Sequence, residues 1–215
     1  MKTIKELDYI FILESPHVDE VKDGHPLAGK SGEAVANFLL KNDKEETFGK
    51  IVKDSYDSDD DTKSKCANSP LNNKKIAIIN ISNVPLQVIE KSKEVTKNIV
   101  GALEDIRKNE ITMNKEGAVY LLKKFAIKFK PYCDRIGDDT TIVVCGDFAR
   151  KYFDAISDDK ITVEKRTETV KKEIKKKIDI IKEQKRILYV PHPSRNQWQF
   201  IDTHRENLST LKNQF

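Results

Sequence analysis

Two residues able to take part in bond breaking stand at the ends of apolar runs. Glu14 directly follows Tyr9 to Leu13, and His192 follows Ile187 to Val190 after one proline. A carboxylate so placed is a candidate to activate water or to stabilise positive charge. An imidazole is a candidate to stabilise a departing anion or to move a proton. Each also has a plainer reading, the acid as a cap or ion-pair partner and the histidine as a hydrogen-bonded structural group. The His25-Pro26 and His192-Pro193 dipeptides equally suit rigid loops, because proline fixes its own backbone angle. The two candidates gain weight together, since both terminate apolar runs.

Periodicity shows which elements must position them. Tyr9 to Leu13, Ile76 to Ile81, Thr141 to Cys145 and Ile187 to Val190 are short, rich in β-branched or aromatic residues, and almost wholly apolar. Strands of this kind are buried on both faces, as in a parallel sheet covered by helices. Helical stripes lie between them: Val35, Phe38 and Leu39 after Ser31 as N-cap; Val119, Leu122, Ala126 and Phe129; and Phe148, Tyr152 and Ile156 after Asp147 as cap. The expected fold is α/β and three-layered, with a central, mostly parallel four-stranded sheet flanked by helices. Ligands in such a sheet sit beyond the carboxyl ends of the strands. Each run leads there into polar or turn-forming residues: Glu14-Ser15-Pro16-His17, Asn80 to Asn83, Gly146-Asp147, and Pro191 to Trp198.

Length and charge bound the remainder. The 215 residues suit one domain spanning 1–215. A net charge of +4 from 39 basic and 35 acidic residues decides little, so attraction to nucleic acid depends on where the basic groups sit. The polar, acidic stretch at about 53–75 reads as a flexible insertion. The lysine-rich segment at about 164–186 keeps Val170, Ile174, Ile178 and Ile181 on a narrow stripe and reads as an amphipathic basic helix, with either a solvated or a phosphate-facing lysine face. Cys66, Cys133 and Cys145 share no CxxC spacing and give no support to a zinc or iron–sulfur site, so neither metal nor cofactor is expected. With no signal-peptide pattern and no apolar run long enough to span a bilayer, a reduced, cytoplasmic monomer without membrane attachment is expected.

The stretch LESPHVDEVKDGHPLAGKSG, residues 13–32, resembles the first motif of the uracil-DNA glycosylase superfamily. The match is to the branch whose pattern reads G-E-x-P-G, then E-D, then G-x-P-F-x-G-x-x-G. Glu14, Pro16, Glu20, Gly24, Pro26, Gly29 and Gly32 fall in register without a gap. Further on, IAIINISNVP resembles the strand with a base-reading Asn, VVCGDFARKYF the L-G-x-x-A strand-to-helix turn, and YVPHPSRNQW the H-P-S motif. The resemblance runs in order from about residue 9 to residue 200.

This resemblance implies a DNA glycosylase, which flips a nucleotide out of the stack and hydrolyses its N-glycosidic bond without metal or cofactor, leaving an abasic site. The transition state carries positive charge in the sugar and negative charge on the base. By resemblance, Glu14 would face the sugar and orient water toward C1′, while His192 would hydrogen-bond the base oxygen. Asn80 would pair with the polar edge of the base, in a pocket lined by His17, Leu27 and Pro16. Gly29, Lys30, Ser31 and Ser194 would meet the DNA backbone, and Arg195, Asn196, Gln197 and Trp198 would enter the gap left by the flipped base. Trp198, the only tryptophan, serves equally well as a core residue.

Departures from the pattern bear on the substrate. Leu27 aligns with the aromatic that stacks on the base, so an apolar contact remains without a π-face. His17 stands where well-known uracil enzymes carry a Tyr that excludes a 5-methyl group and where the closest branch carries Gly. Ser15 takes the position of the best-known branch's catalytic Asp, which leaves the mechanism to Glu14. The three cysteines do not reproduce the spacing of the closest branch's iron–sulfur ligands. The expected substrate is uracil or another deaminated or modified base in DNA. Two other readings stay open: a catalytically weak nucleic-acid-binding module on the same fold, and a nucleotide-processing enzyme whose Gly29 to Gly32 turn cradles a phosphate without Walker spacing. Only polynucleotide binding weakens steeply with salt, which separates them.

Overall fold

Parallel strand pairing organises the chain. The computed structural model describes residues 6–41, 45–57, 70–71, 73–83, 116–161, 163–194, 197–200 and 204–215. Strand β1 (Leu7–Leu13) lies between β2 (Ile76–Asn80) and β3 (Ile136–Cys145), with β4 (Ile187–Val190) outside β3. All three pairings are parallel, in the order β2-β1-β3-β4. The helices are α1 (Val18–Asp23), α2 (Gly29–Leu40), α3 (Phe48–Asp57), α4 (Glu116–Cys133), α5 (Asp147–Ile156), α6 (Lys165–Glu183), α7 (Gln197–Phe200) and α8 (Arg205–Gln214).

Strand alternation assigns two cores, because successive side chains point to opposite faces. Ile10, Ile12, Ile142 and Val144 face one core, with Leu122, Phe125 and Phe129 of α4, Tyr152 and Phe153 of α5, and Ile174, Ile178 and Ile181 of α6. Phe11, Leu13, Val143 and Cys145 face the other, with Val35 and Leu39 of α2, Phe48, Ile51 and Val52 of α3, and Leu208 and Leu211 of α8. Burying each such large side chain contributes roughly 1.5–3 kcal/mol of transfer free energy, and this holds the three layers together. No described helix is long and apolar enough to cross a membrane.

The α/β three-layer fold is as expected, with differences in detail. Strand β3 starts at Ile136, five residues before the apolar run, because Ile136 pairs with Leu7 ahead of a register shift. Helix α2 starts at Gly29 with Ala28 as N-cap, so Ser31 lies in its first turn and is not the cap. Likewise Gly146 caps α5 and Asp147 is its first residue. Residues 53–57, read as the start of an insertion, continue helix α3, where Tyr56 donates its hydroxyl to Ile76 O at 3.0 Å. The rest of that stretch, 58–69 and 72, lies outside the described residues. Helix α6 carries the expected stripe, but Lys171 is buried within it, its Nζ donating to Asp158 O at 3.1 Å and to Ile161 O. The terminal Phe215, past α8, packs its ring 4.7 Å from that of Tyr9.

Two glycines hold the chain around Leu27. A Cβ on Gly32 would lie 1.7 Å from Leu27 O, and one on Gly49 would lie 1.7 Å from Pro26 O. Backbone cannot yield there as a flexible side chain would. Gly32→Ala is therefore expected to lower stability by on the order of 1–3 kcal/mol, seen as a lower urea midpoint at unchanged slope. Gly24→Ala is the control, since a Cβ there meets nothing within 4 Å and only the left-handed φ of +69° is penalised, by about 1 kcal/mol. Indistinguishable midpoints for the two variants would show that α2 does not press on the Leu27 loop.

Candidate functional site

The register brings the carboxyl ends of the strands into one row. Leu13 pairs with Asn80, Ile12 with Val144, and Cys145 with Val190. Backbone bonding continues past the strands: Ile81 N donates to Leu13 O at 2.8 Å, Ser82 N to Glu14 O at 3.0 Å, and Gly146 N to Val190 O at 2.8 Å. The main chain of Glu14 is thus tied to β2 where its side chain leaves the sheet. Glu14 and His192 line one cavity of about 650 Å³, together with His17, Glu20, Leu27, Ser31 and Ser194. Glu14 follows β1 and His192 follows β4, and β3 lies between those two strands.

His192 is set by its neighbours. Gly146 has φ +89°, and a Cβ there would lie 3.0 Å from His192 Cβ, so the close approach requires glycine. Ser194 N donates to His192 Nδ1 at 3.2 Å. An accepting Nδ1 leaves the proton of a neutral imidazole on Nε2, which makes that nitrogen a donor. The loop itself is anchored by Trp198, whose Nε1 donates to Pro191 O at 2.8 Å.

On the β1 side the organising group is Glu20. His17 Nδ1 accepts from Asp19 N at 3.3 Å and caps α1, and Glu20 in its first turn points inward, only 8% exposed. Its Oε1 accepts from Leu27 N at 2.8 Å and its Oε2 from Asn80 Nδ2 at 3.2 Å. Burial raises the Glu20 pKa, and the hydrogen bonds from Leu27 and Asn80 partly offset that rise. Leu27 is buried with φ +52°, a left-handed conformation that costs a side-chain-bearing residue about 1–2 kcal/mol. Glu20 on its N–H and Gly49 N on its O, at 3.3 Å, hold it there.

Two helix starts and two cations also meet the cavity. Helices α2 and α5 both begin at it, and neither Ala28 nor Gly146 makes a side-chain cap bond. Arg150 and Lys151 of α5 add two cations, against the three carboxylates of Glu14, Glu20 and Asp147. Free N–H groups and the positive ends of helix dipoles suit an anion.

Other expected site residues fall elsewhere. Asn80 and Pro16 line a smaller adjoining cavity of about 390 Å³, and Glu20 lines both cavities. Asn80 Nδ2 is engaged by Glu20 and its Oδ1 is buried without a partner among the described residues, so the expected pairing edge is not presented in the larger cavity. Gly29 and Lys30 open α2 beside Ser31 without lining either cavity, and Lys30 is exposed. Trp198 is corrected from a DNA contact to a core residue: it is 4% exposed and meets Phe38 edge-on at 5.6 Å. Arg195 and Asn196 lie outside the described residues. Gln197 lines the larger cavity.

Sequence reasoning assigned no role to several lining residues. Glu20 carried a signal, its place in the gap-free register of the first motif. Arg150 and Lys151 carried another, lying one turn into the helix after the third strand. The Arg150 guanidinium lies 4.7 Å from the centre of the Tyr189 ring, and Tyr189 OH donates to Asp154 Oδ1 at 2.6 Å. His204, whose Nδ1 lies 3.2 Å from Tyr189 O, is marked by no local pattern. Among the described residues, no group of three His, Cys, Asp or Glu side chains is placed to hold a metal. Burial pushes the Cys133 thiol up to about 12 and also raises that of Cys145, so both are inert core groups. No protein-family model, curated protein or solved structure matches the chain.

The raised pKa of Glu20 sets a direction for stability. With its folded value above its unfolded one, the folded chain binds more protons in the window above the ordinary glutamate range, and this contribution to stability falls as pH rises through it. Glu20→Gln removes that dependence while keeping an acceptor for Leu27 N. The stability difference, wild type minus variant, is expected to decline in urea unfolding as pH rises above the ordinary glutamate range. A difference that grows toward pH 7 would show that ionised Glu20 is not penalised in the fold.

Proposed function

We propose that the chain is a DNA glycosylase of the uracil-DNA glycosylase type, which hydrolyses the N-glycosidic bond of a deaminated or modified base and leaves an abasic site. The observation that carries this reading is that Glu14 and His192, from opposite ends of the chain, line one cavity at the carboxyl ends of the strands. Such a cavity can take a sugar beside the acid and a base beside the imidazole. The ordered resemblance of the motifs around these residues to the superfamily supports the same assignment.

The chemistry follows from the placement. As the bond from C1′ to the base breaks, its electron pair leaves with the base and positive charge grows in the sugar. The Glu14 carboxylate stabilises that charge and orients water for attack on C1′. Water adds its oxygen to C1′ and gives up a proton, and the departing base ends protonated. His192 meets the negative charge on the base oxygen with Nε2–H, held in that tautomer by Ser194 N. Leu27 provides an apolar wall for the ring. The uncapped starts of α2 and α5, with Arg150 and Lys151, suit the phosphates on either side of a flipped nucleotide. Sequence-independent phosphate binding of this kind fits a protein that reads one base by extruding it.

The test is base release from labelled single- and double-stranded oligonucleotides carrying uracil or a panel of modified bases, with abasic sites cleaved by alkali. Wild type is expected to break at least one substrate. Glu14→Gln and His192→Ala are expected to slow release by roughly 10²–10³-fold while leaving oligonucleotide affinity within a few-fold. No release from any substrate, with salt-sensitive binding retained, would replace the glycosylase by a nucleic-acid-binding module.

A further inference from the structure

We infer that Glu20 reads the far edge of the base, and that the base it selects carries an amino group there, as the cytosine ring does. This rests on the glycosylase reading above and names its substrate class. Asn80 is poorly placed to read that edge, because it borders only the smaller cavity, its Nδ2 is held by Glu20, and its Oδ1 is closed off. Glu20 borders both cavities and lies on the β1 side of the larger one.

The carboxylate is an acceptor with capacity to spare. It takes hydrogen bonds from Leu27 N on one oxygen and Asn80 Nδ2 on the other, with the His17 backbone N–H also directed at it, fewer than the about four lone-pair sites a carboxylate offers. Among the described residues no Lys or Arg forms an ion pair with it. These bonds and its burial hold it in place. An exocyclic amine matches such a group, while a keto oxygen would bring acceptor against acceptor. At the other end of the site, the glycosylase reading has His192, with Ser194 N on its Nδ1, meet a base oxygen. The cytosine ring has both features, an oxygen at C2 and an amine at C4. Uracil offers oxygen at both positions and leaves the carboxylate opposed by a carbonyl. Buried polar groups left without partners discriminate far more strongly than apolar contacts do.

The experiment uses the full chain and all-thymine single strands holding one 2′-fluoroarabino nucleotide, which resists hydrolysis, with cytosine, 5-hydroxymethylcytosine or uracil as its base. Affinities are read by fluorescence anisotropy, and base release is followed on cleavable counterparts. Wild type is expected to bind a cytosine-ring strand at least about tenfold more tightly than the uracil strand. Glu20→Gln, which keeps an acceptor for Leu27 N and adds an amide donor, is expected to bring that ratio to about one or below. Equal or tighter binding of uracil by wild type, or an unchanged ratio in Glu20→Gln, would overturn the inference and leave the glycosylase reading intact. If Glu20→Gln fails to fold, the wild-type ratio decides alone. Absence of base release from every strand would overturn the glycosylase reading, while the affinity ratio would still decide the role of Glu20.

Discussion

The parallel ladder through β1 is the constraint on which the site depends. Leu13 opposes Asn80, and Ile12 opposes Val144 one step earlier, so β1 delivers its last residue to a row that Cys145 and Val190 complete. A slip of one residue would exchange the two faces of β1 and drive Glu14 toward one of the cores. Such a slip is strongly opposed, because Ile10 and Ile12 fill one core and Phe11 and Leu13 the other. Hydrophobic packing on two faces therefore sets where a single carboxylate emerges. The bonds from Ile81 N and Ser82 N then carry the alignment past the strand, to the residue that matters.

The loop beyond β1 is held by a polar group rather than an apolar one. Burying an acid such as Glu20 is unfavourable unless its oxygens find donors. Here the donors come from two distant places, Leu27 N and Asn80 Nδ2, so one side chain ties α1 to the loop before α2 and to the end of β2. The left-handed Leu27 persists because this bond, Gly32 beneath it and Gly49 beside it leave no better alternative. Backbone strain held in this way by surrounding structure is characteristic of binding sites. The same device sits across the cavity, where Gly146 adopts φ +89° so that His192 can approach.

How much of this was legible in the sequence depended on how local the deciding force was. Strands buried on both faces declare themselves as apolar runs, and the bounds of β4 coincide with those of its run. The start of β3 was hidden, since Gly137-Asp138-Asp139 is polar and only pairing with β1 makes the stretch a strand. Ser31 and Asp147 have the look of caps because each precedes a helical stripe, yet the strained turns at Leu27 to Gly29 and at Gly146 start the helices earlier. Glu14 and His192 could be placed together because each lies within two residues of a strand end. Asn80 and Trp198 could not be judged locally: one is turned by an acid 60 residues away, and the other is enclosed against Phe38.

Charge shows the same distinction between composition and placement. Helix α6 holds the densest run of lysines, but several of its cations have internal partners. Lys171 closes the turn after α5, Lys175 pairs with Asp159, Lys177 donates to Ile136 O, and Lys182 donates to Ser157. No described residue of α6 lines the large cavity, which instead receives Arg150 and Lys151 from α5. Exposed ion pairs stabilise little individually, whereas a cation beside a concave, partly buried site acts through less screening water. Lysine density on α6 thus serves the packing of its own layer, while the two cations at the cavity come from α5.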